Sequence, residues 1–320
     1  MILSAGTVIF KWAFLLLGGL PIAFTAASEP EPLEISVSSG DDIAFERYPA
    51  RGDYLIIQFA PEYGLRQNHR RLAELLSDQD IEVWLGNLQE SLFLPDSTST
   101  IRQLDTDMVA ELVDAACQHG KKVLLAGDAY GAIIALRGAH DWQRLGESDC
   151  LAGAVLFTPY AYRRIPALGE EPPYLPVITA TNIPLLIYQA EGSATRGRFD
   201  QLLLQLRSHG NPVYTAMMPE IMSLFYEEPA TDAMSRQANR VAQLTARTLP
   251  LLAGHDVPTE PIANLDEVDG ESGVDIALRP FNADLAALPI DLIDTTGNRF
   301  IRRDYTGRIT LVNFWATWCP

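Results

Sequence analysis

Val123-Leu124-Leu125-Ala126-Gly127-Asp128-Ala129-Tyr130-Gly131-Ala132-Ile133-Ile134-Ala135-Leu136 carries the clearest structural signal in the chain. The apolar run 122–126 predicts a buried strand. Two glycines four residues apart then punctuate the chain, and 127–137 continues as a turn and an apolar helix. The same alternation extends on both sides. Upstream, 53–60 and 82–85 predict strands, and 68–79 a helix with Leu72, Leu75 and Leu76 at helical spacing. A second helix, 106–119, carries Met108, Val109, Leu112, Val113 and Ala116 on one stripe. Downstream, 152–158, 184–189 and 213–218 predict strands, with helices at 199–208 and 231–252. Strands alternating with helices imply an α/β class and a doubly wound, mainly parallel sheet over residues 33–252.

The turn inside that stretch has a chemical outline. Glycines at Gly127 and Gly131 permit a tight strand-to-helix turn and close packing of helix on sheet. Gly127-Asp128-Ala129-Tyr130-Gly131 resembles the nucleophile elbow, Gly-x-Ser-x-Gly, of the α/β-hydrolase fold. The resemblance implies that the middle residue projects a nucleophile, and here that residue is Ala129, which has no attacking atom. It also implies an oxyanion-hole loop at Phe59-Ala60-Pro61-Glu62-Tyr63-Gly64 and a triad acid near Glu191, a candidate vestigial acid. A histidine would follow the last strand, but Met218-Pro219-Glu220-Ile221-Met222-Ser223-Leu224-Phe225 supplies none. His255 reads as an exposed linker residue, and His69, His119, His140 and His209 fall on helices or helix ends. A triad needs nucleophile, base and acid in mutual reach. The expectation is a degenerate elbow, or else a plain βα turn of another doubly wound fold; neither gives serine hydrolysis. The loop lacks the Lys-Ser/Thr of a phosphate loop and the dinucleotide spacing, and Asp128 would repel an anion. No His/Cys/Asp grouping has metal-ligand spacing, so no metal or cofactor is expected.

A second motif closes the chain: Leu311-Val312-Asn313-Phe314-Trp315-Ala316-Thr317-Trp318-Cys319-Pro320. A strand-like run ending in Trp-Cys-Pro resembles the active-site strand of TlpA/ResA-like thiol–disulfide oxidoreductases of the thioredoxin family. That resemblance implies Cys319 as a redox nucleophile whose thiolate a helix N-terminus favours. It implies a resolving cysteine two residues beyond Pro320, so the chain is expected to be a piece of a longer protein. It also implies a thioredoxin-like domain beginning in 284–320. The partners would be disulfide-bearing envelope proteins and a membrane electron donor. On this motif the leading expectation is an exported thiol–disulfide oxidoreductase. The alternative is an α/β-hydrolase-like esterase or a non-catalytic module that binds a ligand or partner.

Composition sets the outer limits. A formal charge of −17 and a pI near 4.6, without a basic cluster, argue against nucleic-acid binding. Residues 1–27 read as a signal peptide or N-terminal anchor: Lys11 precedes a short apolar run, Pro21 breaks it, and Thr25-Ala26-Ala27 offers a cleavage site. Membrane contact would come only through an uncleaved anchor, and the expected location is the periplasm or the extracytoplasmic face of the membrane. Residues 253–283, rich in Asp, Glu, Pro and Gly, read as an acidic linker. Cys117, on a predicted helix, and Cys150, before a predicted strand, could pair in an exported chain, but separate buried thiols are the stronger expectation.

Overall fold

The structure, a computed structural model, describes residues 30–146, 148–164, 173–265, 291–293 and 297–301. The strands β1 (Glu31–Ser36) and β2 (Asp42–Tyr48) open the described residues, ahead of the first predicted strand. Then follow β3 (Tyr54–Phe59), α1 (Gln67–Ser77), β4 (Ile81–Gly86) and the helices α2 (Leu88–Ser91), α3 (Thr98–Gln103) and α4 (Asp107–Cys117). Next come β5 (Lys122–Asp128), α5 (Gly131–Leu145), β6 (Leu151–Phe157), α6 (Val177–Ala180), β7 (Leu185–Ala190), α7 (Phe199–Ser208), β8 (Val213–Met218) and α8 (Asp232–Leu252). All six strands and five longer helices expected from the sequence are present, most with ends shifted by a residue or two; α5 runs to Leu145, eight residues past its expected end.

Eight strands form one sheet in the order β1-β2-β4-β3-β5-β6-β7-β8. The first two join antiparallel, and every pairing from β4 to β8 is parallel. A parallel sheet must be covered on both faces, which is why β3, β5, β6 and β7 are apolar almost throughout. Alternate residues of β5 feed opposite sides. Val123 and Leu125 join the core under α4, α5 and α7, while Leu124 and Ala126 join the core under α1 and α8. On α4 the expected stripe is the buried one, with Val109, Leu112, Val113 and Ala116 facing the sheet.

Cys117 and Cys150 form a disulfide, their Cα atoms 5.7 Å apart, which corrects the expectation of separate thiols. The reason is topological. α4 ends beside the entry to β6, and the Val123 N–H donates to the Cys150 carbonyl at 3.0 Å, bringing the two segments together. Near the start of β4, an interior strand of the sheet, Glu82 is buried and receives Arg47 and Lys121, each at 2.7 Å, and the Trp84 indole N–H at 2.9 Å. Burial would push its carboxyl up; these three bonds outweigh that and hold it below the ordinary range.

Residues 256–265, the start of the expected linker, lie along α5 and α6. Val257 and Leu265 pack on the core. His140 Nε2–H donates to the Ala263 carbonyl at 2.9 Å and Gln143 Nε2 to the Pro258 carbonyl at 2.6 Å. Further on, β9 (Asp291–Ile293) and β10 (Arg299–Ile301) pair antiparallel. The remaining residues of the expected thioredoxin-like segment, Cys319 among them, lie outside the described residues, as do residues 1–29. Among the described residues no helix is long and apolar enough to cross a membrane.

Candidate functional site

The site lies at the carboxyl end of the parallel strands, where the chain leaves β5 for α5. Gly127 and Gly131 are spaced as close contact demands. A Cβ on Gly127 would sit 2.7 Å from the Ala132 nitrogen, and one on Gly131 would sit 2.7 Å from the Phe59 carbonyl oxygen. Both distances are below any real Cβ contact, so only glycine fits either position. Between them Ala129 has φ +47°, in the left-handed region that a residue with a Cβ rarely adopts. Its N–H donates to the Phe157 carbonyl and its carbonyl accepts from the Tyr160 N–H, each at 3.1 Å. This backbone resembles that of a nucleophile elbow, with a methyl group at its apex.

The loop after β3 closes over the elbow. In such a frame the N–H of the residue following the apex belongs to the oxyanion hole. Here that group, Tyr130 N–H, donates to Glu62 Oε2 at 3.3 Å. Glu62 is 8% exposed, and its carboxyl is pushed up to about 7, chiefly by burial and further by the charge of Asp128. The amide that would stabilise a developing oxyanion therefore already faces a carboxyl of the protein's own.

Beside it, Asp128 is buried and doubly engaged. The Tyr63 hydroxyl donates to its Oδ2 at 2.5 Å, and His69 Nε2 lies 2.9 Å from its Oδ1. His69 Nδ1 accepts the Arg66 N–H at 2.9 Å, which places the ring proton on Nε2, donated to Asp128. With both nitrogens engaged and its side chain fully buried, His69 has no free position from which to take a proton in the cleft. Burial, with the Asp128 charge, pushes the Tyr63 phenol far above its ordinary value, and burial first holds Tyr160 at about 12. Both phenols stay protonated.

The segment after β8, where a triad base would lie, sends in Phe225 instead. Its ring stacks on His69 at 4.3 Å between centroids and meets Phe157 edge-on at 5.2 Å. Glu191 follows β7 as expected, but its side chain is exposed and is not part of the cleft wall; Ser193 and Ala194 of the same loop are. His255 is half-buried and bonds Tyr214 near the start of β8, the opposite end of the sheet from the elbow. Over Ala129 remains a cavity of about 80 Å³, its wall including Glu62, Asp128, Thr158, Tyr160, Met222 and Tyr226. Among the described residues no group of three or more His, Cys, Asp or Glu is arranged to hold a metal. Sequence reasoning placed the elbow and the loop after β3 at the site, and it missed Glu62 and His69 as its working parts.

No family model and no curated protein matches the sequence. Solved structures do match the fold. A hormone-sensitive lipase from a metagenome library is 15% identical with a TM-score of 0.53, covering 71% of this chain and 87% of its own. An esterase from Pyrobaculum calidifontis is 16% identical with a TM-score of 0.52, covering 70% and 87%. An arylesterase is 12% identical with a TM-score of 0.52, covering 71% and 85%. The chain thus has an α/β sheet fold resembling the α/β-hydrolases. This overturns the expectation of a thioredoxin-family thiol–disulfide oxidoreductase, because the fold that fills most of the chain is that of esterases and lipases. A Trp-Cys-Pro run is specific only within the sheet and helix that frame it, and Cys319 lies outside the described residues.

Proposed function

We propose that this chain is a hydrolase-fold binding module whose cleft over Ala129 takes a small ligand without serine-type chemistry. The observation that carries the reading is Ala129 itself, held at φ +47° at the apex of an intact elbow with no nucleophilic atom. Two further features support it: Glu62 engages the Tyr130 N–H, and Phe225 enters the site from the segment where a base would come. The proposal includes an extracytoplasmic location, supported by the Cys117–Cys150 bridge, since disulfides persist in oxidising compartments. Incubation of the chain with short-chain aryl esters at pH 6 to 9 tests it. The expected result is release of phenol at the buffer rate, and turnover lost on Glu62→Gln would overturn it.

That same assay decides a second reading, ester hydrolysis by a water that Glu62 deprotonates. One observation favours it: a buried carboxyl titrating at about 7 is matched to general-base work at neutral pH. Against it stands the occupied Tyr130 N–H, which leaves the oxyanion without its donor.

A further inference from the structure

A site built for acyl transfer must stabilise negative charge. This cleft presents the reverse. Glu62, Asp128 and Glu227 all line it, and no lysine, arginine or histidine is among the described residues of its wall. The Tyr130 N–H at the start of α5, next to Ala129, is already held by Glu62. Asp128 accepts from Tyr63 and His69, which satisfies its oxygens but adds no counter-charge when the His69 proton sits on Nε2 alone.

Aromatic rings share the wall with the aliphatic Ala129, Ala194, Met218, Met222 and Leu224. Phe157, Tyr160 and Phe225 line the cavity, with Tyr63 and Tyr226 meeting edge-on at 5.2 Å. Faces of such rings attract cations through their quadrupoles, most strongly where water is excluded. Thr158, Ser193 and Ser223 add hydroxyl oxygens. Resting on the reading of the cleft as a non-hydrolytic binding site, we infer that its ligand is a small organic cation, an amine or methylated ammonium. The cation sits among the aromatic rings against the Glu62 carboxylate.

Such a ligand would bind the ionised form of Glu62 and release its proton. The groups facing Glu62 are Asp128 from β5, Tyr130 from the start of α5, Tyr63 from its own loop and Tyr160 after β6. Arg66 lies over the Tyr63 ring at 5.6 Å and Arg102 acts on Tyr130, and neither is part of the cavity wall. With Glu62 titrating at about 7, its ionised fraction rises about tenfold between pH 6 and pH 8, and cation affinity should rise with it.

Three probes of similar shape and different charge test this: tetramethylammonium, tert-butanol and trimethylacetate. Met218 and Met222 line the cavity, so methyl-labelled methionine resonances of the 320-residue chain report binding there. The expected result is a response to tetramethylammonium that tightens about tenfold from pH 6 to 8 and is weaker and flat with pH in Glu62→Gln. Should Glu62→Gln fail to fold, the pH profile of the unaltered chain decides alone, with Glu227→Gln expected to weaken binding about threefold. An equal response to tert-butanol, a preference for trimethylacetate, or no response to any probe overturns the inference. Ester turnover in the separate assay would instead remove the non-hydrolytic reading, whichever probe binds.

Discussion

At Ala129 the chain holds a φ of +47°, a conformation that costs a residue with a Cβ on the order of 1–3 kcal/mol. Glycine at that position would avoid the cost, yet a side chain stands there. Its neighbour in the site, Glu62, adds a second cost whose sign can be worked out. Its folded carboxyl titrates at about 7, above the ordinary 4.5, so between these values the folded chain binds more protons than the unfolded one. Stability from this group is therefore full below pH 4.5 and falls as pH rises toward 7, by about 3 kcal/mol in total. Urea unfolding at pH 5 and pH 8 should show Glu62→Gln gaining on the unaltered chain at the higher pH. An unchanged difference between the two pH values would show that Glu62 titrates normally. None of this was legible locally: Glu62 meets Tyr130 across 68 residues and His69 meets Asp128 across 59. Sequence reasoning could suggest such pairs only through the loop position of the first and the helix start of the second.

Among the elements, β3 to β8 were legible because each is an apolar run flanked by turn residues. β1 and β2 were not read, since glutamate, aspartate and arginine interrupt them. Their signal was the weaker two-residue period, with Ile43 and Phe45 inward and Asp42 and Ala44 outward, beside a Ser38-Ser39-Gly40 turn. The elbow was legible because its glycine spacing is local. The α4–β6 disulfide was not, since spacing along the chain says nothing of where a helix end meets a strand start. The bridge closes a span of 33 residues, for which the chain-entropy model gives about 3–4 kcal/mol. The double variant Cys117→Ala/Cys150→Ala should lose that much in chemical denaturation and become insensitive to reductant. Equal stability with and without dithiothreitol in the unaltered chain would mean the bridge contributes nothing.

For the whole molecule, the fold class followed from the alternation of strands and helices, and the eight-stranded order with its antiparallel start makes it hydrolase-like. The functional reading went astray at the terminal Trp-Cys-Pro, a motif read apart from a sheet and helix to frame it. What the described residues present is a hydrolase frame kept at the level of backbone and altered at the level of charge. The elbow, the loop after β3 and the cleft are in place. On the proposed reading the nucleophile and a free base are missing, and the Glu62 carboxyl takes the Tyr130 N–H. The most direct measurement is steady-state hydrolysis of p-nitrophenyl acetate by Ala129→Ser, which returns a nucleophilic atom to an otherwise unchanged molecule. The expected rate is within about twofold of the unaltered chain, because His69 is engaged on both nitrogens and Glu62 holds the Tyr130 N–H. A rise of about a hundredfold or more, even though far short of the roughly millionfold that separates a complete triad from its remnants, would show that a working base and oxyanion donor surround Ala129 and would contradict the proposed reading.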